Sequence, residues 1–278
     1  MALSTRGHRQ IMKKTVVESY YDETVEHEWE RLARHKMEYT LTLRAMDEYI
    51  PANSTILDVG GGPGRYSICL AKRGHHVTLL DLSEANIKFA RQKAAAENAP
   101  VENFFHGNAL DLSAFADQSF DVVLLMGPLY HLTSAADRDQ AVAEAYRVLR
   151  PGGIILASFI TRYATINDQL KNYPEALAKD FDGTLSLLKD GIKFPESGFT
   201  EAYFILPSDI ALLMAGKSGK GFHQQCLMAA EPFVAAIEPT INALDEPTFR
   251  CWADLCYRLS TDPATWGSAE HMVFIGNK

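Results

Sequence analysis

The chain has 278 residues, 47% of them hydrophobic and 22% charged, which is ordinary globular composition and argues against disorder, collagen or a solenoid array. Its 27 Lys and Arg against 35 Asp and Glu leave a net charge of −8, so the whole-molecule field repels polyanions and nucleic acid is not an expected partner. The longest uncharged apolar runs, VVLLMGPLY and GGIILASFI, fall well short of the roughly 18 residues that span a bilayer, so no membrane partner is expected either.

The stretch before Glu18 is basic and reads as a frayed end rather than a transit peptide. From 14 to 50 the spacing of Val17, Tyr20, Tyr21, Trp29, Leu32, Met37, Leu41 and Leu43 predicts two amphipathic helices ended by Pro51. STILDVG reads as a buried strand, GGPG as a turn, and RYSICLAKRG as a helix closed by Gly74. HHVTLLDLS repeats the strand, with Ser83 as N-cap of the next helix. ENFFHGNALDL, SFDVVLLMG and GGIILASFI are three more strands, the last two separated by a helix from Ser134, where SAAD resembles a capping box. Strands alternating with helices imply a mostly parallel sheet with right-handed crossovers.

After Thr161 the alternation stops, and 162–199 reads as an inserted lid of helical pieces broken by Pro174, Gly183, Gly191, Pro195 and Gly198. EAYFIL then reads as a strand, PSDIALLMAGKSG as a helix and FHQQCLMA as a strand. Residues 231–267 read as mostly helical, and HMVFIGNK as a final strand. Cys69, Cys226, Cys251 and Cys256 form no CxxC pair and follow no apolar secretory segment, which fits a cytoplasmic protein with buried thiols. Cys251 and Cys256 fall on different faces of a helix, and no metal is expected.

The most informative segment is ILDVGGGPGRYS, a buried strand entering a turn with Gly60, Gly61, Gly62 and Gly64. Such a turn lets backbone approach a ligand and aims N–H groups at it. A dinucleotide fingerprint counted from Gly60 puts Arg65 where its third glycine belongs, which demotes a nicotinamide oxidoreductase. A phosphate loop at AGKS would need glycine at Ala211.

These motifs resemble, over about residues 53–161 and again at the C-terminal strands, the class I S-adenosylmethionine-dependent methyltransferases. DVGGGPG is similar to that family's DxGxGxG, so the resemblance implies Asp58, Gly60, Gly62 and Gly64 around the methionine moiety of the cofactor. It further implies Asp81 on the ribose hydroxyls and Leu82 beside the adenine. GNAL, similar to the family's GDA motif, implies Asn108, the Ala109 backbone and Leu110 at the adenine, with Met126 as a further cofactor contact. Asn108 departs from the usual acid, exchanging an acceptor-only carboxylate for an amide that both donates and accepts. The implied fold is α/β and Rossmann-like: a seven-stranded, mostly parallel sheet with an antiparallel last strand, plus helical lid insertions. The implied organisation is a helical preface (1–50), a cofactor-binding core (51–161), the lid (162–199), and the C-terminal strands (200–278) carrying a helical insertion (231–267).

Methyl transfer from a sulfonium needs an in-line acceptor more than a nucleophilic side chain. Where the acceptor carries a proton a base helps, and MGPLYHLTS offers Tyr130 and His131 at the right edge of the sheet, with His131 as the candidate base near the ordinary histidine pKa of about 6.5. Gly127 stands where amine-on-base enzymes carry Asn or Asp, and no cysteine follows a proline as cytosine-C5 chemistry requires. YYDETVEHEWERLARH is similar to the tyrosine-bearing preface of small-molecule methyltransferases, which implies Tyr20 over the sulfonium and Tyr21 toward the acceptor. HEWER is not a zinc motif, because Arg31 occupies the second histidine position. Arg162, Tyr163, Thr200 and Tyr203 complete the candidate substrate contacts. The expected function is methyl transfer to O, N or S of a small molecule; the alternative is a non-catalytic S-adenosylmethionine sensor.

Overall fold

In the computed structural model, which describes residues 14–193, 200–217 and 220–278, the chain starts with three helices, α1 (Val16–Glu23), α2 (Val25–Arg34) and α3 (Lys36–Tyr49). The expected pair is thus divided once more, at positions with no glycine or proline. Thr24 turns its hydroxyl back onto the Tyr20 carbonyl at 2.8 Å, and His35 leaves helical geometry at φ −103°, ψ 59°. The basic segment before Lys14 lies outside the described residues.

The core follows as read: β1 (Thr55–Val59), α4 (Arg65–Lys72), β2 (His76–Asp81), α5 (Glu84–Ala96), β3 (Asn103–His106), β4 (Phe120–Leu125), α6 (Ala135–Val148) and β5 (Leu149–Ile160). Ser83 caps α5, its hydroxyl accepting from Asn86 N at 3.0 Å. The capping box expected at SAAD does not form, since the Ser134 side chain makes no cap hydrogen bond. The turn into α6 is held instead by Arg138, which donates to the carbonyls of Leu132 (2.6 Å) and Thr133 (3.0 Å).

Beyond β5 come α7 (Ala164–Asn172), α8 (Ala176–Lys179), α9 (Phe181–Asp190), a ribbon of β6 (Ile192–Lys193) and β7 (Ala202–Tyr203), α10 (Ile210–Met214), β8 (His223–Ala229), α11 (Glu238–Asn242), α12 (Glu246–Leu259) and β9 (His271–Asn277). EAYFIL does not join the main sheet: two of its residues pair with β6, and Ile205 bridges to Thr161. The free edge of β5 is already occupied, because β9 pairs with it from Ile154 to Ile160. Pro195, Gly198 and Ser218, singled out in the sequence, lie outside the described residues.

The seven-stranded sheet runs β3-β2-β1-β4-β5-β9-β8, with β9 antiparallel to both neighbours. Alternate side chains feed opposite faces, as a pleated strand dictates. Leu57, Val59, Val123, Leu125, Ile155 and Ala157 pack with Ala141 and Ala145 of α6 on one side. Ile56, Val122, Leu124, Leu156, Val273 and Ile275 pack with Met37 and Leu41 of α3 and Phe249 of α12 on the other. Chain order reverses between β1 and β4, so their carboxyl ends open a crevice where the next elements depart to opposite faces, the place where open α/β sheets bind ligands.

Candidate active site

The glycine turn sits in that crevice. Gly60 N and Gly61 N both donate to the Leu80 carbonyl, at 2.7 and 3.2 Å, which ties the end of β1 to the end of β2. Gly60 has φ +72°, and a Cβ there would lie 2.6 Å from Cδ of Pro128 on the loop after β4. Gly62 (φ +56°) opens into space. Gly64, φ +91° and N-cap of α4, does not line the cavity; a Cβ there would press the Ala90 side chain at 3.1 Å, so its part is helix packing. Gly60→Ala combines a left-handed backbone with this clash, and the expected cost is about 2–3 kcal/mol, read as a Tm several degrees lower.

Two buried carboxylates face the turn. Asp81 Oδ2 accepts from Gly62 N at 2.7 Å, while Oδ1 accepts from Ser83 N at 2.8 Å and Asn86 Nδ2 at 3.2 Å. Burial raises its pKa, against the pull of those three donors. Asp58 Oδ2 accepts from Ser67 Oγ at 2.7 Å, but Oδ1 is buried with no hydrogen-bond partner. Burial, with a smaller contribution from Asp81, pushes Asp58 up to about 6.

The cavity over the turn has a volume of about 340 Å³ and is lined by Asp58, Gly60, Gly62, Asp81, Leu82, Asn108, Ala109, Leu110, Met126, Tyr130 and His131 among others. The Asn108 Oδ1 accepts from Leu110 N at 3.0 Å, leaving its Nδ2 as the donor that an aspartate would lack. α1 and α2 cover the cavity with Val17, Tyr21, Glu28, Arg31 and Leu32. α1 is fastened to the start of α5, where Asp22 Oδ1 accepts from Ser83 Oγ at 2.6 Å and Ala85 N at 3.3 Å.

A larger cavity, about 1200 Å³, adjoins the first and shares Tyr21, Glu28, Arg31 and Tyr130 with it. Tyr20 lines the larger cavity and not the smaller, which places its ring away from the glycine turn. Tyr21 stands at the junction, its hydroxyl 2.6 Å from His131 Nε2. Burial raises the Tyr21 pKa well above 10 and pulls His131 down to about 4, with the Glu201 backbone opposing the latter, so both groups are neutral at pH 7. The ordinary histidine value expected from the sequence does not hold in this enclosed position. Tyr130 is likewise pushed up to about 12 by burial.

Arg162 and Tyr203 line neither cavity. Arg162 donates to the carbonyls of Phe204 (3.3 Å), Leu188 (3.2 Å) and Lys189 (2.5 Å), holding the end of α9 against the chain after β7, and the Arg138 guanidinium lies 3.6 Å over the Tyr203 ring. Tyr163 and Thr200 also lie outside both linings. Glu28 and Arg31, which the sequence does not single out as cavity residues, line both cavities. Their spacing, three apart beside the buried Trp29 and Leu32, marks a charged stripe bordering the core face of α2.

Residues 57–157 match the family model described as "Methyltransferase domain". Over this stretch the chain is similar to a methyltransferase domain. Two curated proteins resemble part of the chain: tRNA 5-carboxymethoxyuridine methyltransferase of Escherichia coli K12 is 32% identical over 124 residues, 44% of this chain and 46% of that protein. A ubiquinone/menaquinone biosynthesis C-methyltransferase of Dinoroseobacter shibae is 40% identical over 115 residues, 40% of this chain and 44% of that protein. The matched part therefore spans about half the length of these relatives. An S-adenosylmethionine-dependent methyltransferase from Methanosarcina mazei shares the fold, with TM-score 0.57 and 23% identity over 84% of this chain and 96% of that one. The matched stretch contains most of the smaller cavity's lining, whereas Tyr130 alone among the described residues lining the larger cavity lies within 57–157. No helix among the described residues is long and apolar enough to cross a membrane.

Proposed function

We propose that the protein transfers a methyl group from S-adenosylmethionine to O, N or S of a small molecule held in the larger cavity. The observation that carries this reading is the pairing of two cavities across Tyr21 and Tyr130, one over the glycine turn and one beyond it. The smaller cavity suits the cofactor: the Asp58 Oδ1 is an orphaned buried acceptor, and Gly62 leaves room that a side chain would fill. Asp58 and the turn would hold the methionine moiety, Asp81 the ribose, and Leu82, Asn108, Ala109 and Leu110 the adenine. When bound, S-adenosylmethionine supplies an activated methyl on a sulfonium, a leaving group that asks for no protein nucleophile.

The chain's own part is to exclude water, align the acceptor and take up a proton where the acceptor carries one. α1 and α2 close over the cavity, and His131 with Tyr21 forms a neutral pair at the junction. His131 Nε2 is the basic atom of that pair, reached directly or through the Tyr21 hydroxyl. The segments forming the larger cavity lie almost wholly outside the stretch that matches the family model, so the acceptor class is a property of this chain's own added segments. The net charge of −8 supports a small molecule over a polynucleotide. Incubation with labelled S-adenosylmethionine, in one arm with a metabolite extract and in another with total tRNA, tests the reading. Label in a small product supports it, label in tRNA alone overturns the acceptor class, and cofactor binding without transfer in either arm favours a sensor.

Asp58 adds a pH dependence to cofactor binding. A carboxyl with a pKa of about 6 is partly protonated in the free protein, and the ammonium of a bound methionine moiety stabilises its ionised form. Affinity for S-adenosylhomocysteine is therefore expected to rise as pH passes upward through about 6, and to lose that rise in Asp58→Asn. Calorimetry at pH 5 and 7.5 measures it.

A further inference from the structure

Beside the larger cavity, which His271 lines, three side chains from distant parts of the chain converge: Glu38 of α3, Glu231 just after β8 and His271 at the start of β9. Their ligating atoms lie within 4.8 Å of one another. The hydrogen bonds around them are short: Arg31 clamps Glu38 at 2.8 and 2.9 Å, and Glu231 Oε1 accepts from the backbone N–H groups of Glu270 and His271 at 2.6 and 2.7 Å. The gaps between the three are not. His271 Nδ1 stands 3.6 Å from Glu231 Oε2 and 3.7 Å from Glu38 Oε2, and both His271 Nδ1 and Glu231 Oε2 are buried without a hydrogen-bond partner.

We propose that Glu38, Glu231 and His271 are the protein ligands of a first-row divalent cation of the Zn²⁺ type. Ligand atoms on a tetrahedral ion at 2.0–2.2 Å lie about 3.4 Å apart, close to the 3.6 and 3.7 Å from His271 Nδ1 to the two carboxylates, gaps too long for an N–H···O bond. One imidazole and two carboxylates form a donor set suited to Zn²⁺ and its neighbours. The outer contacts also fit. The backbone donors fix the Glu231 carboxylate and Arg31 fixes that of Glu38, which keeps a lone pair on Oε2 beyond the one Arg31 occupies.

Charge balance allows the same ion. Glu38, Glu231, Glu238 and Glu270 are all at most 9% exposed, and the permanent cations paired with members of this group are Arg31 and Lys171. Four carboxylates less two permanent cations leave two negative charges, which are met either by protonated His35 and His271 or, with both imidazoles neutral, by one divalent ion. His271 lines the larger cavity, while its Nδ1 and Glu231 Oε2, the atoms that would hold the ion, are themselves buried.

The test of the site reads metal directly and needs no transfer assay. Chelator-treated wild-type protein is titrated with Zn²⁺ against a chromophoric competitor, and with Co²⁺ followed by visible absorption. The expected result is one tight equivalent, a raised Tm, and an affinity reduced at least about tenfold in Glu231→Gln and in His271→Gln. No binding of equimolar Zn²⁺ by the wild type, or binding unchanged in both variants, overturns the proposal. Should the variants fail to fold, X-ray absorption of the Zn²⁺-loaded wild type decides. One imidazole in a shell of oxygen ligands supports the site, and a shell without imidazole overturns it.

Discussion

Replacing Asp81 by alanine is expected to weaken binding of S-adenosylhomocysteine by about 10- to 100-fold while the protein still folds. A buried carboxylate that accepts from two hydroxyls contributes about 1.5–3 kcal/mol through charge-assisted bonds, and about 1.4 kcal/mol is a factor of ten. In this protein the substitution does more than remove a ligand contact. Asp81 also holds Gly62 N, Ser83 N and Asn86 Nδ2, so its loss leaves three donors beside the glycine turn without their acceptor. The melting temperature is expected to fall together with the affinity. Calorimetry and a melting curve on the same preparation separate the two effects: a lower Tm with unchanged affinity would confine Asp81 to shaping the turn.

His131→Asn is expected to reduce turnover by roughly 10² to 10⁴ for an acceptor that must lose a proton, with cofactor affinity nearly unchanged. Because burial holds the imidazole pKa at about 4, the base form is present across the neutral range. The wild-type rate should therefore be flat from about pH 5.5 to 8 in this limb and fall only as pH drops toward 4, where the ring takes up a proton. Tyr21→Phe removes the hydroxyl at the junction and leaves the ring in place, so its effect should appear in kcat more than in cofactor binding. A thiolate or tertiary-amine acceptor has no proton to lose. Near wild-type turnover of His131→Asn with an acceptor that does have one would leave alignment as the source of rate.

The sheet was legible because each core strand announces itself locally: a short apolar run, a glycine or acid at its end, and a helix beginning at a cap such as Ser83. The glycine turn and Asp81 were legible for the same reason, since their partners lie in adjacent strand-loop-helix units. What escaped depends on competition between distant segments. EAYFIL has strand composition, but the edge it would need belongs to β9. The break at His35 carries no sequence mark, and it turns α3 so that Glu38 meets Arg31 and faces His271. Periodicity shows which face of a helix is apolar, not which buried charges meet across three elements. Arg162 looked like a substrate contact for a related reason: a cation after a strand carries the same signature whether it meets a ligand or the carbonyls at the end of α9.

The place of β9 has a consequence for how the molecule is made. It is the last strand in the chain yet lies inside the sheet, between β5 and β8, pairing with β5 at seven positions. On the ribosome, the parallel half from β1 to β5 can collapse as a contiguous unit, because every strand pairing within it lies between Thr55 and Ile160. The far edge of β5, with Leu156 and Phe159, must wait through more than a hundred further residues for the strand that covers it. Throughout that interval the nascent protein carries an open, apolar strand edge, the feature that draws other chains into off-pathway pairing. Yield during expression should accordingly depend on chaperone capacity and translation speed, and a chain stopped short of His271 should aggregate even though every residue of the glycine turn has been made.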